Sequence, residues 1–142
     1  MTRSKVRIFY HFVWATRNRE WFLEDADIEC KVHRLIQSLA SEKHCEVLAV
    51  NGMPDHVHLV VKAPATVSAS EFMQHIKGVS STALREDEFK GQAFSWQDGY
   101  GVFSLSKRDL EEVITYVQNQ KAHHAAGRTK QSLEEADEEV TK

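Results

Sequence analysis

The sequence predicts an α+β sandwich, helices packed on an antiparallel sheet, and three observations carry that prediction. Apolar and aromatic residues alternate with period two over residues 5–15, the signature of a strand. They change to helical spacing over 25–43, where Ile28, Val32, Leu35, Ile36 and Leu39 form one stripe. Between two further strand segments stands Asn51-Gly52, a strong signal for a tight hairpin turn.

Taken in order, Val6, Ile8, Tyr10, Phe12 and Trp14 make one face of a long first strand. The other face, with Arg7, Phe9, His11, Val13 and Ala15, is mixed, as in a strand covered on both sides. A helix follows over Asp25–Lys43, then a short strand over Glu46–Val50, the Asn-Gly turn, and a strand from about His56 to Lys62. Ser68-Ala-Ser-Glu71 has capping-box spacing and opens a helix that buries Phe72, Ile76 and Val79. The stretch from Phe94 to Phe103 is rich in glycine and aromatics and reads as a short strand with a loop. Ser106-Lys-Arg-Asp109 then starts a last helix, with Val113, Tyr116, Val117 and Gln120 on one face. This order is that of a ferredoxin-like sandwich, its helices covering one face of the sheet.

The chain has 142 residues with 42% hydrophobic, which suits one domain with an ordinary core. No run approaches the roughly 18 apolar residues of a membrane span. The N-terminal residues lack the apolar core of a secretory signal. Cys30 and Cys45 make neither a disulfide framework nor a zinc-site spacing. A cytoplasmic protein without membrane contact is the expectation. The net charge of −3 is unevenly spread. Arg3, Lys5, Arg7, Arg17 and Arg19 fall in the first 19 residues without an acid among them. Residues 128–142 hold Glu134, Glu135, Asp137, Glu138 and Glu139 against Arg128, Lys130 and Lys142. We therefore expect a domain over 1–127 and an acidic, mobile tail over 128–142. Such a tail would repel nucleic acid if it lay near a binding groove.

The sharpest chemical feature is Asp55-His56-Val57-His58-Leu59. In a strand, residues two apart point to the same side, so His56 and His58 project together, about 7 Å apart along the backbone. Val57, Leu59 and Val61 then face a helix. Two neutral imidazoles can converge on a divalent first-row metal, although a pair of surface histidines would show the same spacing. On the last helix Tyr116 and Gln120 are four residues apart and share a face. A tyrosine oxygen beside a metal-bound phosphate can act as nucleophile, and a glutamine carbonyl can complete a ligand set. A core aromatic with its hydroxyl at the rim would also fit Tyr116.

Five stretches carry a family resemblance: Tyr-His-Phe-Val-Trp-Ala-Thr at 10–16, Gly-Met-Pro-Asp-His-Val-His-Leu-Val-Val at 52–61, Ile-Lys-Gly-Val-Ser-Ser at 76–81, Trp-Gln-Asp-Gly-Tyr-Gly-Val-Phe-Ser at 96–104 and Tyr-Val-Gln-Asn-Gln at 116–120. In this order, over about residues 6–124, the chain resembles the single-tyrosine HUH transposases of bacterial insertion sequences, which include the REP-associated tyrosine transposases. The resemblance implies that His56, His58 and Gln120 hold Mg²⁺ or Mn²⁺ and that Tyr116 is the nucleophile. It further implies cleavage and rejoining of single-stranded DNA through a 5′-phosphotyrosine link, recognition of a DNA hairpin, and a homodimer.

Other residues receive looser expectations. Arg3, Lys5, Arg7, Arg17, Arg19 and Lys77 are candidate phosphate contacts. Trp14, Trp96 or Tyr100 could stack on bases, or simply fill the core. Asp55 could orient a ligating histidine from behind. His123 could approach the site, but an exposed helix end is the plainer reading of the pair His123-His124. Two rival functions stay open: a module that grips structured single strands without cutting, and a metal-dependent hydrolase of small substrates. Against the second, no further carboxylate or histidine stands at a convincing ligand spacing.

Overall fold

A computed structural model describes residues 4–136. Arg3, and the tail residues Asp137, Glu138, Glu139 and Lys142, lie outside the described residues. Four strands form one antiparallel sheet: β1 (Ile8–Ala15), β2 (Glu46–Met53), β3 (His56–Ala63) and β4 (Gly101–Leu105), in the order β2-β3-β1-β4. Helix α1 (Ala26–Glu42) joins β1 to β2, and α2 (Ala69–Glu86) joins β3 to β4. Each helix thus links two strands that are parallel to each other with a third between them, the split arrangement of a ferredoxin-like sandwich. Helix α3 (Lys107–Gln118), α4 (Gln120–Ala125) and the single turn α5 (Gln131–Glu134) follow.

The alternation read in β1 and β3 decides both faces. Phe12, Trp14, Val57, Leu59 and Val61 all enter the main core, against Val32, Ile36, Phe72, Met73 and Ile76 of α1 and α2. On the opposite face Ala49 and Val60 pack against Val113 and Val117 of α3. Helices therefore cover both faces rather than the one expected. Val79, expected inside, is an exposed hydrophobic on α2.

The helix starts are local. Asp25 accepts from the backbone N–H groups of Asp27 and Ile28 at 2.9 and 3.1 Å. Ser68 accepts from Glu71 N at 3.1 Å and Ser106 from Asp109 N at 3.2 Å. Each cap satisfies donors that the first turn leaves open.

Two expectations are corrected. The hairpin turns at Pro54-Asp55, and Asn51-Gly52 lies inside β2, opposite His58 and Val57. Asn51 has a different task there: its Nδ2 donates to Gln118 O at 3.1 Å, and its Oδ1 accepts from Lys121 Nζ at 3.1 Å. Gly52 is required by a close approach, since a Cβ would fall 2.2 Å from His56 O. The predicted single last helix is broken at Asn119, whose φ and ψ of −102° and 24° leave the helical well. Asn119 Nδ2 donates back to Thr115 O at 2.9 Å, closing α3 before α4 begins.

Candidate active site

The β1–β3 ladder sets the position of the two histidines. His56 pairs with Ala15 and His58 with Val13, so both side chains leave the sheet on the α3 side. Both are buried. Helix α3 brings Tyr116 over His58, the rings lying 6.3 Å apart at a steep angle. Helix α4 is held at the end of β2 by Lys121, whose Nζ donates to Glu29, Asn51 and the Gly52 carbonyl at 3.0–3.1 Å. That clamp sets Gln120, which is buried, with its Oε1 3.2 Å from His56 Nε2. The break at Asn119 has not separated Tyr116 from Gln120: both reach the same carboxylate oxygen, as follows.

The central group is Glu134 on α5. Its Oε1 lies 3.1 Å from His58 Nε2, 3.2 Å from His56 Nε2 and 3.3 Å from His124 Nε2. Its Oε2 accepts from Gln120 Nε2 at 3.0 Å and from the Tyr116 hydroxyl in a short hydrogen bond. Lys130 N also donates to the Tyr116 oxygen at 3.0 Å. The described part of the acidic segment, residues 128–136, thus lies across the histidine face rather than apart from it. Its fit is close elsewhere too, because a Cβ on Gly101 would come 1.9 Å from Glu135 O.

Behind the histidines stand two orienting groups. Asp55 accepts from His56 Nδ1 at 2.6 Å and pairs with Arg19 at 3.6 Å. His11 Nε2 lies 2.9 Å from His58 Nδ1, fully buried. Burial and the neighbouring His58 push the His11 imidazole down to about 3, so it is neutral. One ring nitrogen of the pair must donate to the other, which couples the tautomer of His58 to that of His11.

Electrostatics divide the two histidines. Burial opposes charge on His56, but hydrogen bonds and charges of Asp55 and Glu134 outweigh it and raise the imidazole to about 9. His58 is lowered, burial prevailing over Glu134. Burial alone would raise the Glu134 carboxyl, yet the hydrogen bonds from His56 and His58 hold it well below the usual carboxylate range. The Tyr116 phenol is pushed up to about 12 by burial and by its bond to Glu134. A phenol so placed is a poor nucleophile until the carboxylate beside it is replaced.

The donor chemistry fits a divalent cation. With Nδ1–H committed to Asp55, His56 Nε2 faces two oxygens, Gln120 Oε1 and Glu134 Oε1. A metal ion bound here would take the place of a proton on His56 Nε2. His56, His124 and Glu134 each offer an atom within 4.8 Å of the others. Spacing along the sequence had suggested no further carboxylate or histidine, and the fold brings two to the cluster, His124 and Glu134. His124 carried a usable signal, four residues beyond Gln120 on one helix face. Glu134 carried none, being one of five acids in a polar stretch.

The other expected residues are spread more widely. Arg19 lines a groove of about 340 Å³ beside His56, together with Trp21, Asp55, His124 and Glu134. Arg17 donates to Ser95 Oγ at 2.8 Å. Lys5 and Arg7 are exposed before Ile8, whose partner is Ala63, at the opposite end of the ladder from His56. That separation is seven residues, roughly 23 Å. Lys77 donates to the carbonyls of Gln97 and Gly99 at 2.7 Å, tying down that loop. Trp14 and Trp96 are buried in the main core. Trp21 is instead 64% exposed at the groove and was missed, since in the short apolar run Trp21-Phe22-Leu23 no strand or helix period marks it as the exposed member. His123 stacks on Tyr116 with ring centres 4.5 Å apart. No described helix is long and apolar enough to cross a membrane.

Known proteins share this arrangement of chain. Over 118 residues the sequence is 24% identical to the ISDra2 transposase TnpA of Deinococcus radiodurans, covering 78% of this chain and 82% of that one. It is 26% identical over 117 residues to the transposase for insertion sequence element IS200 of Salmonella typhimurium, covering 78% and 75%. A crystal structure of a D. radiodurans protein assigned as a transposase superposes with a TM-score of 0.65 at 25% identity, over 84% of this chain and 96% of that one. The fold also matches a REP-associated tyrosine transposase solved with a REP hairpin, at a TM-score of 0.66 and 19% identity, over 92% and 76%. The IS200-like transposase pattern itself matches residues 4–120, from the edge of β1 to Gln120, and the chain belongs to that family of enzymes.

Proposed function

We propose that this transposase cuts and rejoins single-stranded DNA at hairpin-bearing ends, with Tyr116 as nucleophile. The observation that carries this reading is the meeting of the Tyr116 hydroxyl, His56, His58 and Gln120 around one carboxylate, within a single chain. A scissile phosphate is an oxyanion of similar reach, and it would take the place that Glu134 holds. The Tyr116 oxygen attacks phosphorus, the bond to the 3′-oxygen breaks, and the departing oxygen gains a proton. The product is a 5′-phosphotyrosine and a free 3′-hydroxyl. One phosphodiester replaces another, so the reverse attack rejoins strands without an energy source.

His56, His58 and Gln120 would hold Mg²⁺ or Mn²⁺, which supplies charge stabilisation at the phosphate oxygens. Asp55 keeps His56 in the tautomer with Nε2 facing the ion. Arg19 is the phosphate contact nearest the groove, and Trp21 offers a face for a base. Arg3, Lys5, Arg7, Arg17 and Lys77 would meet the backbone of a longer hairpin. In this reading residues 1–127 are the catalytic unit, and residues 128–136, which lie across the histidine face, withdraw as DNA enters. The protein would act in the cytoplasm as a homodimer, which sedimentation equilibrium tests, and the bond from Tyr116 to Glu134 of its own chain supports attack within one subunit.

The test is a covalent adduct. A hairpin-bearing single strand, labelled 3′ of the cut, is incubated with protein and Mn²⁺ and run in denaturing gels. A shifted band is expected with the natural protein and none with Tyr116→Phe. Equal adduct from both proteins would remove Tyr116 from its role. The second reading, a binding module that does not cut, draws on the raised Tyr116 phenol. Tight hairpin binding with no adduct under any divalent ion would favour it.

A further inference from the structure

Around His56 the donor atoms outnumber those used above, and their spacing is regular. His56 Nε2 is 3.2 Å from Gln120 Oε1, which is 2.9 Å from His124 Nε2. His124 Nε2 is 3.3 Å from Glu134 Oε1, which returns to His56 Nε2 at 3.2 Å. These four atoms form a closed ring of near-equal edges. The His56, His124 and Glu134 atoms all lie within 4.8 Å of one another, a spread that one ion with bonds of roughly 2 Å to nitrogen and oxygen can span. We infer that, in the DNA-free protein, His124 and Glu134 ligate the ion together with His56.

The inference rests on the reading of His56 as an ion ligand and goes beyond it by two residues. Helix α4 presents Gln120 and His124 one turn apart, so a single short element supplies two donors. Glu134 supplies the negative charge that neutral imidazoles and an amide lack. Glu134 is half-buried, and a carboxylate so placed is retained where it is paired, which a divalent cation does. A set of imidazoles with one carboxylate suits a first-row transition ion, so Co²⁺ is an apt probe. When DNA enters, its phosphate would replace the Glu134 oxygen, and His124 would stay.

The test titrates the full-length, DNA-free protein with Co²⁺ and follows its visible absorption, each variant first matched to the natural protein by circular dichroism. Glu134→Gln and His124→Ala are each expected to weaken binding about tenfold or more, with a changed band shape. Glu135→Gln, which removes the adjacent charge, is expected to leave both unchanged. Natural affinity and spectrum in both Glu134→Gln and His124→Ala, with binding lost in His56→Ala, would overturn the inference and leave His56 a ligand. Natural binding in His56→Ala as well would instead overturn the ion-ligand reading beneath it.

Discussion

The two faces of the sheet are built from the same strands and differ in almost every chemical respect. Toward α1 and α2, alternate residues of β1 and β3 are Phe12, Trp14, Val57, Leu59 and Val61, all buried among apolar side chains. Toward α3 and α4, the intervening residues include His11, His56 and His58, equally buried but hydrogen-bonded, His11 to His58, His56 to Gln120 and His58 to Glu134. The first face gains from removal of apolar surface from water, which is non-directional and tolerant. The second depends on polar atoms being satisfied one by one, because a buried orphan costs on the order of 1–3 kcal/mol, and among its described residues His11 Nδ1 is such an orphan. The proposed chemistry sits on the exacting face, and the forgiving face holds it up.

Substitutions that separate the faces test this contrast. The largest effect is expected from Tyr116→Phe, which should abolish the DNA adduct in denaturing gels while leaving urea unfolding nearly unchanged. A large loss of stability instead would mean that Tyr116 belongs to the core more than to the chemistry. Phe72→Ala, on the other face, should cost about 3–5 kcal/mol in urea unfolding. The fraction still folded should keep its affinity for Co²⁺, and a matching loss of affinity would show that the faces are not independent. At Gly52→Ala the new methyl meets the His56 carbonyl, so the hairpin must shift. A cost of about 1–3 kcal/mol is expected, with weaker Co²⁺ binding because His56 moves with its backbone; unaltered binding would uncouple the turn from the site.

Smaller effects sharpen the same picture. Ser68→Ala should cost only about 1 kcal/mol by thermal or urea unfolding, the loss of one cap on α2. The smallest concerns the thiols. Cys30 is exposed, while Cys45 is buried in the main core and its thiol is pushed up by burial. A maleimide should modify one site in the native protein and a second only in urea. Rapid labelling at Cys45 would show the core open.

The apolar face was almost wholly legible in the sequence, because its evidence is repetitive. Period two in β1 and β3, a stripe in α1, and caps at Asp25, Ser68 and Ser106 each repeat or confirm a local pattern. The functional face was legible only where a strand or helix repeated its geometry. His56 and His58 were placed by the pleat, and Tyr116 and Gln120 by helical spacing, even though Asn119 breaks that helix. Where contacts between distant residues override local preference, the reading failed. Asn51-Gly52 has every mark of a turn, yet Gln118 and Lys121 hold Asn51 within β2. His11 looked like one more alternating residue until β3 brought His58 beside it. Glu134 acts across 76 residues of chain from His58, and nothing in its neighbourhood distinguishes it from Glu135.

The Pro54-Asp55 hairpin has a consequence for how this chain can tolerate insertions and deletions. Side chains alternate along β3, so adding or removing one residue between Met53 and His56, unless absorbed by a bulge like that between Val47 and Ala49 of β2, would move β3 by one position against its neighbours. Val57 and Leu59 would then face the catalytic side and both histidines the apolar core. A change of two residues would keep every side chain on its proper face, displacing the pair by one pleat along the ladder. Length variation within the hairpin should therefore come in even steps wherever no bulge takes up the odd residue, a parity rule imposed by the pleat on the genetics of the site.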